Sequence, residues 1–386
     1  MKITPMSLVT AALLSSTVSV VIHFFRKKYQ LTRVHEQRVL LFLYILSFIR
    51  LLIPIDFSFT RGIRLTGVYA DLIYWLSIHR FSIPGIHFTI GDLLCILWGA
   101  AAAIQLIKLT RHHVQDLSVL KECPVWDSAQ IERVHGQLLP VLSSIPGAAV
   151  CKCSFACVPF AIGTFRRRIF LPDIDYTDEE MFYILLHEYI HFRRYDTLLK
   201  PLFDIFFCIF WWIPFASVSR KDIEQLLELG CDMSVIRLLS ETQKPEYMTA
   251  LLDSLKHSVS GQKHRFIPRY SVPFALQEKK EPMIERFHML ARHTPESPKH
   301  FRAVAVFVLC LFCGTYLLLP IPGYEPDKAD IEEDGAREIT PENSFILKTG
   351  GKYYLIDSES GVRSSPLTDE MLDEMVHRYG FKIKEI

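Results

Sequence analysis

Four stretches of this chain, Met6–Phe25, Val39–Ile55, Phe88–Leu109 and Ala303–Leu319, are apolar for close to the length that a lipid bilayer demands. A helix needs about 20 mostly apolar residues to cross the hydrocarbon core. Backbone that enters lipid must satisfy its own hydrogen bonds, so such segments are restricted to helices. Half of the 386 residues are hydrophobic and 12% are aromatic. That composition points to a multi-pass membrane protein rather than to two or three soluble domains. The first stretch makes a poor secretory signal. Only Lys2 precedes it, and RKKYQLTR follows where small residues for cleavage are expected. It reads as a retained anchor.

Basic residues set the expected orientation. Arg26, Lys27, Lys28, Arg33 and Arg38 follow the first stretch and place that loop in the cytoplasm. The N-terminus, the Asp56–His87 loop and everything after Pro320 then lie outside, and the section from about Thr110 to His300 lies inside. The segment Glu325–Glu342 agrees, because its acids face only Lys328 and Arg337. The nine cysteines all fall in membrane or cytoplasmic segments, so structural disulfides are not expected. A formal net charge of +1 gives no sign of a nucleic-acid partner.

The expected domains are a membrane domain with three spanning helices (1–109), a cytoplasmic domain (110–300), a fourth spanning helix (301–320), and an acidic linker with a small extracellular domain (321–386). In the cytoplasmic section, Asp127 is placed to cap a helix ending near Leu142, with Pro140 in its last turn. AVCKCSFACVPFAIGTFRRRIFLP reads as two strands ending at Pro172. Thr177 and Glu180 form a capping box that opens a helix of five or six turns, which Pro201 stops or restarts. In the tail, residues 344–386 suggest a hairpin, a helix closed by Gly380 and a last strand.

The chemistry concentrates in HEYIH. His187 and His191 are four residues apart, so on a helix both imidazoles point one way and can bind one zinc ion. Glu188 between them is placed to take a proton from water and pass it to a leaving amine. Further on, RKDIEQLLELGCDMSVIRLL puts Glu228 and Asp232 four apart on one helical face. Glu228 would complete a two-histidine, one-glutamate site with an open fourth position, and Asp232 could bond the far nitrogen of a ligating histidine. The plainer alternatives are a chance motif, histidines that cap backbone groups, and carboxylates that solvate an exposed face.

Taken together, PFAIGTFRRRIFLP (Pro159–Pro172), HEYIHFRRYD (His187–Asp196), ELGCD (Glu228–Asp232) and IERFHMLAR (Ile284–Arg292) resemble the bacterial antirepressor membrane metallopeptidases, the family of the β-lactam and methicillin sensor-transducers. The resemblance covers roughly residues 1–320. It implies a membrane α-helical protein with four transmembrane helices, a cytoplasmic α+β gluzincin-like zinc metalloprotease domain and a small extracellular α+β tail. It implies His187, His191 and Glu228 as zinc ligands and Glu188 as general base. Its further implication is cleavage of a cytoplasmic DNA-binding repressor, and in some members self-cleavage before the last helix. The chain departs from the sensors after Pro320. Lys348-Thr349-Gly350 spells KTG with no SxxK or SDN in that segment, which reads as a hairpin turn, and β-lactam sensing is not expected.

The run Pro201–Val218 is long enough to approach a bilayer span, but a span there would put Glu228 across the membrane from the two histidines. A shared metal requires the chain to return, as an interfacial or re-entrant hairpin or as ordinary domain core. Cys151, Cys153 and Cys157 read as core rather than as a second metal site, and Arg50 needs a partner inside the second helix. A housekeeping membrane protease resembling heat-shock or prenyl-protein proteases is the second enzymatic reading. A scaffold with a structural zinc is the non-enzymatic one.

Overall fold

In the computed structural model the described residues are 2–3, 5–29, 34–57, most of 59–68, Leu72, 80–83, 86–156, 158–260, 272–273, 280–291, 301–322 and most of 339–385. The chain divides into two compact units, Met1–Pro322 and Gly323–Ile386.

All four apolar stretches are helical: α1 (Pro5–Tyr29), α2 (Val34–Leu52), α3 (Ile90–Leu120) and, near the end of the first unit, a helix over Phe301–Leu317. Among the described residues, Ser7–Lys27 and Ile90–Leu120 are long and apolar enough to cross a membrane by length and composition. The Phe301–Leu317 helix is shorter, and α2 carries Glu36, Arg38 and Arg50. The third stretch runs further than expected. With no Pro or Gly after Gly99, α3 continues unbroken to Leu120, so the boundary at residue 109 falls inside a helix. Arg50 is fully buried, yet its guanidinium lies 4.4 Å from the centre of the Tyr316 ring and Nη2 donates to the Thr315 carbonyl at 3.4 Å. The Phe301–Leu317 helix thus supplies the partner that this charge requires.

The middle of the first unit begins with α4 (Ala129–Leu142). Its N-cap is Ser128, one residue after the expected Asp127; the Ser128 hydroxyl accepts from the Ile131 amide. A four-stranded sheet follows instead of two strands: β1 (Ala149–Cys153), β2 (Phe160–Ile162), β3 (Arg168–Pro172) and the distant β4 (Val272–Pro273), in the order β1-β3-β2-β4. The breaks at Pro159 and Gly163 separate three strands. Gly163 has φ 93°, and a Cβ there would collide with the Arg166 carbonyl, so the tight β2–β3 turn needs glycine. Strand β1 runs parallel to β3, and β2 is antiparallel to both β3 and β4. Cys151 and Cys153 are buried from the same face of β1, in a small apolar cluster with Cys123, Phe160 and Phe170. Cys157 lies outside the described residues.

The capping box of Thr177 and Glu180 opens α5 (Asp178–Arg193) as expected, and every residue from Met181 to Phe192 is buried. The helix does not run on to Pro201. It ends at Arg194, and Tyr195, in the left-handed region at φ 61°, turns the chain into α6 (Asp196–Ile209), which contains Pro201. Residues 210–215 reverse direction, with Phe215 also left-handed, and α7 (Ala216–Ile236) comes back. The helices α8 (Gln243–Ser260), α9 (Lys280–Ala291) and α10 (Phe301–Leu317) complete the unit.

Two apolar cores meet along α7. Ile223, Leu226 and Leu227 belong to one, with Ile22 of α1, Tyr44 and Phe48 of α2, and Phe203, Phe206 and Phe207 of α6. The Phe48 and Phe206 rings stack with centroids 4.0 Å apart. Leu229, Met233, Val235 and Ile236 belong to the other, which is built on α4, the sheet, α5, α8 and α9. The run after Pro201 is therefore a helical hairpin packed against α2.

In the second unit, β5 (Ser344–Thr349), β6 (Lys352–Asp357) and β7 (Ile383–Glu385) form a sheet in the order β6-β5-β7, with a short α11 (Asp369–Asp373). Thr349 pairs with Lys352 across the hairpin. Most of the acidic linker lies outside the described residues.

Candidate metal centre

The α6–α7 hairpin brings the separated donors together. His187 and His191 project from one face of α5, and their Nε2 atoms are 2.9 Å apart. From α7, Glu228 places Oε2 3.7 Å from His187 Nε2 and Oε1 3.7 Å from His191 Nε2. All three side chains are buried.

The other ring nitrogens are occupied, which sets the tautomers. Tyr247 of α8 donates its hydroxyl proton to Asp232 Oδ1 at 2.6 Å. Its oxygen therefore accepts from His187 Nδ1–H at 2.8 Å. His191 Nδ1–H donates to Asp196 Oδ2, also at 2.8 Å. Both Nδ1 atoms are engaged on the outer side, so the two Nε2 atoms are turned toward each other at 2.9 Å, as two ligands of one ion are. Asp232 reaches His187 mainly through Tyr247; its own oxygen is 3.4 Å from Nδ1.

Two arginines brace the carboxylates. Arg286 of α9 grips Asp232 with two bonds, Nε to Oδ2 at 2.6 Å and Nη2 to Oδ1 at 2.8 Å, and its Nη1 lies 3.1 Å from Glu228 Oε2. Arg194 donates from Nε to Asp196 at 3.0 Å and from Nη1 to the Gly230 carbonyl at 2.8 Å. The left-handed turn at Tyr195 lets Asp196 reach back to His191.

Glu188 is fully buried, and neither of its carboxylate oxygens has a hydrogen-bond partner among the described residues. Such a group is costly unless something polar is meant to meet it. Burial pushes its carboxyl up to about 7, against the pull of His187 and His191. For Glu228, burial works the other way from Arg286 and the histidines, and these partners hold it below the ordinary range. Asp232 is held still lower, because Arg286 and His187 again outweigh burial. Burial disfavours a charged His191, yet Cys231 and Asp196 raise it to about 10. The pocket's field thus favours positive charge where the two Nε2 atoms meet. Two adjacent Nε2 atoms, a carboxylate beside them and a Glu188 without a partner among the described residues fit a bound metal ion.

Cys231 complicates the ligand set. Donor atoms of His187, His191 and Cys231 all lie within 4.8 Å of one another. The Cys231 thiol, however, donates to the His187 carbonyl at 3.3 Å, whereas Glu228 is kept ionised and brackets both Nε2 atoms. A charged carboxylate is the better third donor.

Sequence reasoning reached His187, Glu188, His191, Glu228 and Asp232, and the fold brings them together. It missed Asp196, Cys231, Tyr247 and Arg286. Asp196, Cys231 and Arg286 sit inside the quoted motifs HEYIHFRRYD, ELGCD and IERFHMLAR. Tyr247 carried no local signal.

Residues 89–290, just over half of the chain, match the family described as BlaR1 peptidase M56. The methicillin resistance mecR1 protein of Staphylococcus aureus is 27% identical over 171 residues, which is 42% of this chain and 27% of that protein. Regulatory protein BlaR1 of Bacillus licheniformis is 29% identical over 107 residues, 27% of this chain and 18% of that protein. The matched stretch thus spans about a quarter or less of these relatives' own length.

Proposed function

Because the chain belongs to the BlaR1 peptidase M56 family of metallopeptidases, we propose that it is a membrane-anchored zinc metalloendopeptidase in which His187, His191 and Glu228 hold the ion and Glu188 is the general base. The observation that carries this reading is the buried carboxylate of Glu188, without a hydrogen-bond partner among the described residues, beside two Nε2 atoms turned toward each other. A bound zinc ion supplies a Lewis acid for the scissile carbonyl and lowers the pKa of the attacking water. Glu188 takes the proton of that water on a carboxylate oxygen and delivers it to the leaving amine nitrogen. With its carboxyl raised to about 7 by burial, it is suited to both halves of that transfer. Tyr247 and Asp196 hold the two imidazoles in the metal-binding tautomer, and Arg286 keeps Glu228 and Asp232 ionised.

The reading extends to a gluzincin-like domain in the cytoplasm, four membrane helices (α1, α2, α3 and α10) and an extracellular C-terminus. Support comes from the basic residues after α1 and from the return of the α6–α7 hairpin. The substrate is a protein in extended conformation, namely a cytoplasmic DNA-binding repressor and the chain itself. What supports this is the sheet edge: β2 already takes up the short segment Val272–Pro273 by antiparallel pairing. The signal is proposed to be other than a β-lactam, since Lys348 and Thr349 lie at the end of a hairpin strand, Thr349 opposite Lys352.

The test uses the full chain in lipid nanodiscs, loaded with zinc and incubated with a co-purified repressor, with products read by mass spectrometry. The parent should cut the repressor or itself, and Glu188→Gln should bind one zinc and cut neither. Undiminished cleavage by Glu188→Gln would refute the assigned base.

A further inference from the structure

Arg286, which grips the carboxylates of the metal centre, has a chain neighbour that faces the membrane helices. On α9, Glu285 accepts from Arg26 Nη1 at 2.6 Å, and Arg26 lies at the end of α1. The same guanidinium donates from Nη2 to Asp222 Oδ1 at 2.8 Å. Asp222 also meets His23 Nδ1 of α1 at 3.0 Å and the Tyr44 hydroxyl of α2 at 3.2 Å. One turn before it, the Ser219 hydroxyl donates to Ser19 of α1 at 2.6 Å. Arg26, Asp222, Arg286 and Asp232 are all buried.

These contacts close a ring. Asp222 and Glu228 stand on one helix, α7, six residues or about 9 Å apart. Glu285 and Arg286 stand on another, α9, at adjacent positions, and Met283, Met289 and Leu290 seat α9 in the core shared with α7. The arginine–carboxylate node of α1 and that of the metal centre are therefore joined twice, through the rigid body of each helix. A buried guanidinium fixed by two bonds to Asp232 cannot follow a small shift of α9 without changing its distance to Glu228.

We propose that Arg286 is a positioning residue for the metal-binding carboxylate Glu228, and that α9, held by Glu285 on Arg26, couples the position of the first membrane helix to the metal affinity of the site. This rests on the zinc reading above. Displacement of α1 relative to α7 pulls Glu285, turns or slides α9, and loosens the grip on Glu228 and Asp232. A membrane event then changes the site without touching it. Spatial continuity alone does not establish such coupling; a double-mutant cycle does.

The experiment measures zinc affinity of the full chain in nanodiscs by competition with a chromophoric chelator, a readout independent of cleavage. Arg286→Gln should weaken zinc about 10- to 100-fold, as loss of an outer partner does, and Arg286→Lys should fall between it and the parent. Glu285→Gln and Arg26→Gln should each weaken zinc by about 2- to 30-fold. The double variant should be no worse than the stronger single one, and the swapped pair Arg26→Glu with Glu285→Arg should recover affinity. Arg133→Gln, which breaks the exposed Arg133–Asp178 pair, should change nothing. If Arg26→Gln does not fold, Glu285→Gln, on a partly exposed side chain, decides the outcome. Parent-like affinity in Arg286→Gln overturns the positioning role. Parent-like affinity in Glu285→Gln, with Arg286→Gln weakened, overturns the coupling. A parent chain that takes up no zinc overturns the metal reading itself, and this proposal with it.

Discussion

Helix α7 carries a buried carboxylate gripped by an arginine toward each end, and the two neighbourhoods are built to different purposes. Around Asp222, both carboxylate oxygens have partners: Arg26, His23 and Tyr44 meet them. Around Asp232, the carboxylate itself is equally well held by Arg286 and Tyr247, and the proposed metal ligands lie beside it. Among the described residues Glu188 has no hydrogen-bond partner for either oxygen, and two Nε2 atoms face each other. Burial and charge are alike at the two ends. What separates the node that holds helices together from the proposed metal centre is a buried carboxylate, Glu188, with no hydrogen-bond partner among the described residues.

The contrast can be broken or sharpened by substitution. The largest effect is expected for His191→Ala, which removes one of three proposed ligands. Zinc affinity should fall on the order of a thousand-fold, about a third of the 10–16 kcal/mol typical of protein-bound zinc, read by chelator competition. Asp222→Asn should instead act on the fold. Taking one partner from a buried ion pair costs about 3 kcal/mol or more, measurable by thermal unfolding of the metal-free protein. Next comes Glu188→Gln in the metal-free protein, where the effect depends on pH. A carboxyl raised from 4.5 to about 7 stays protonated in the fold while the unfolded chain has lost its proton, so the parent loses stability as pH rises from 4.5 to 7. The variant has no such loss. It should match the parent near pH 4 and exceed it by up to about 3 kcal/mol above pH 7, at 1.36 kcal/mol per pKa unit. The smallest effect is expected for Cys231→Ser, with zinc affinity changed less than about tenfold and no thiolate-to-metal charge-transfer band in the cobalt-substituted parent. Such a band would make Cys231 a ligand and the ligand set proposed here wrong.

How much of this could be read from the residues follows from the range of each interaction. The four-residue spacing of His187 and His191, the capping box at Thr177 and the later Glu228–Asp232 pair are local patterns, and each lies on a helix as expected. The hairpin return could be argued because a shared cation forbids the alternative. Tyr247, which sets the His187 tautomer, and Arg286, which braces Asp232 and Glu228, were hidden, since they come from helices whose packing no short pattern encodes. The break after α5 was misplaced because Pro201 is a visible stop signal, while Tyr195 adopts a left-handed conformation that its residue type does not announce. Two strands became three because Pro159 and Gly163 each border a strand, leaving the three-residue β2 between them, too short for an alternating pattern to mark.

Gly230 shows how far such a pocket reaches beyond its own ligands. Its missing side chain makes room for the Arg194 guanidinium, whose Cζ and Nη1 lie 2.8 Å from where a Cβ would be. That arginine in turn steadies Asp196 against His191. A single methyl at position 230 would therefore act as a wedge: it would touch none of the proposed ligands, yet by displacing Arg194 it would loosen the support that holds Asp196 on His191.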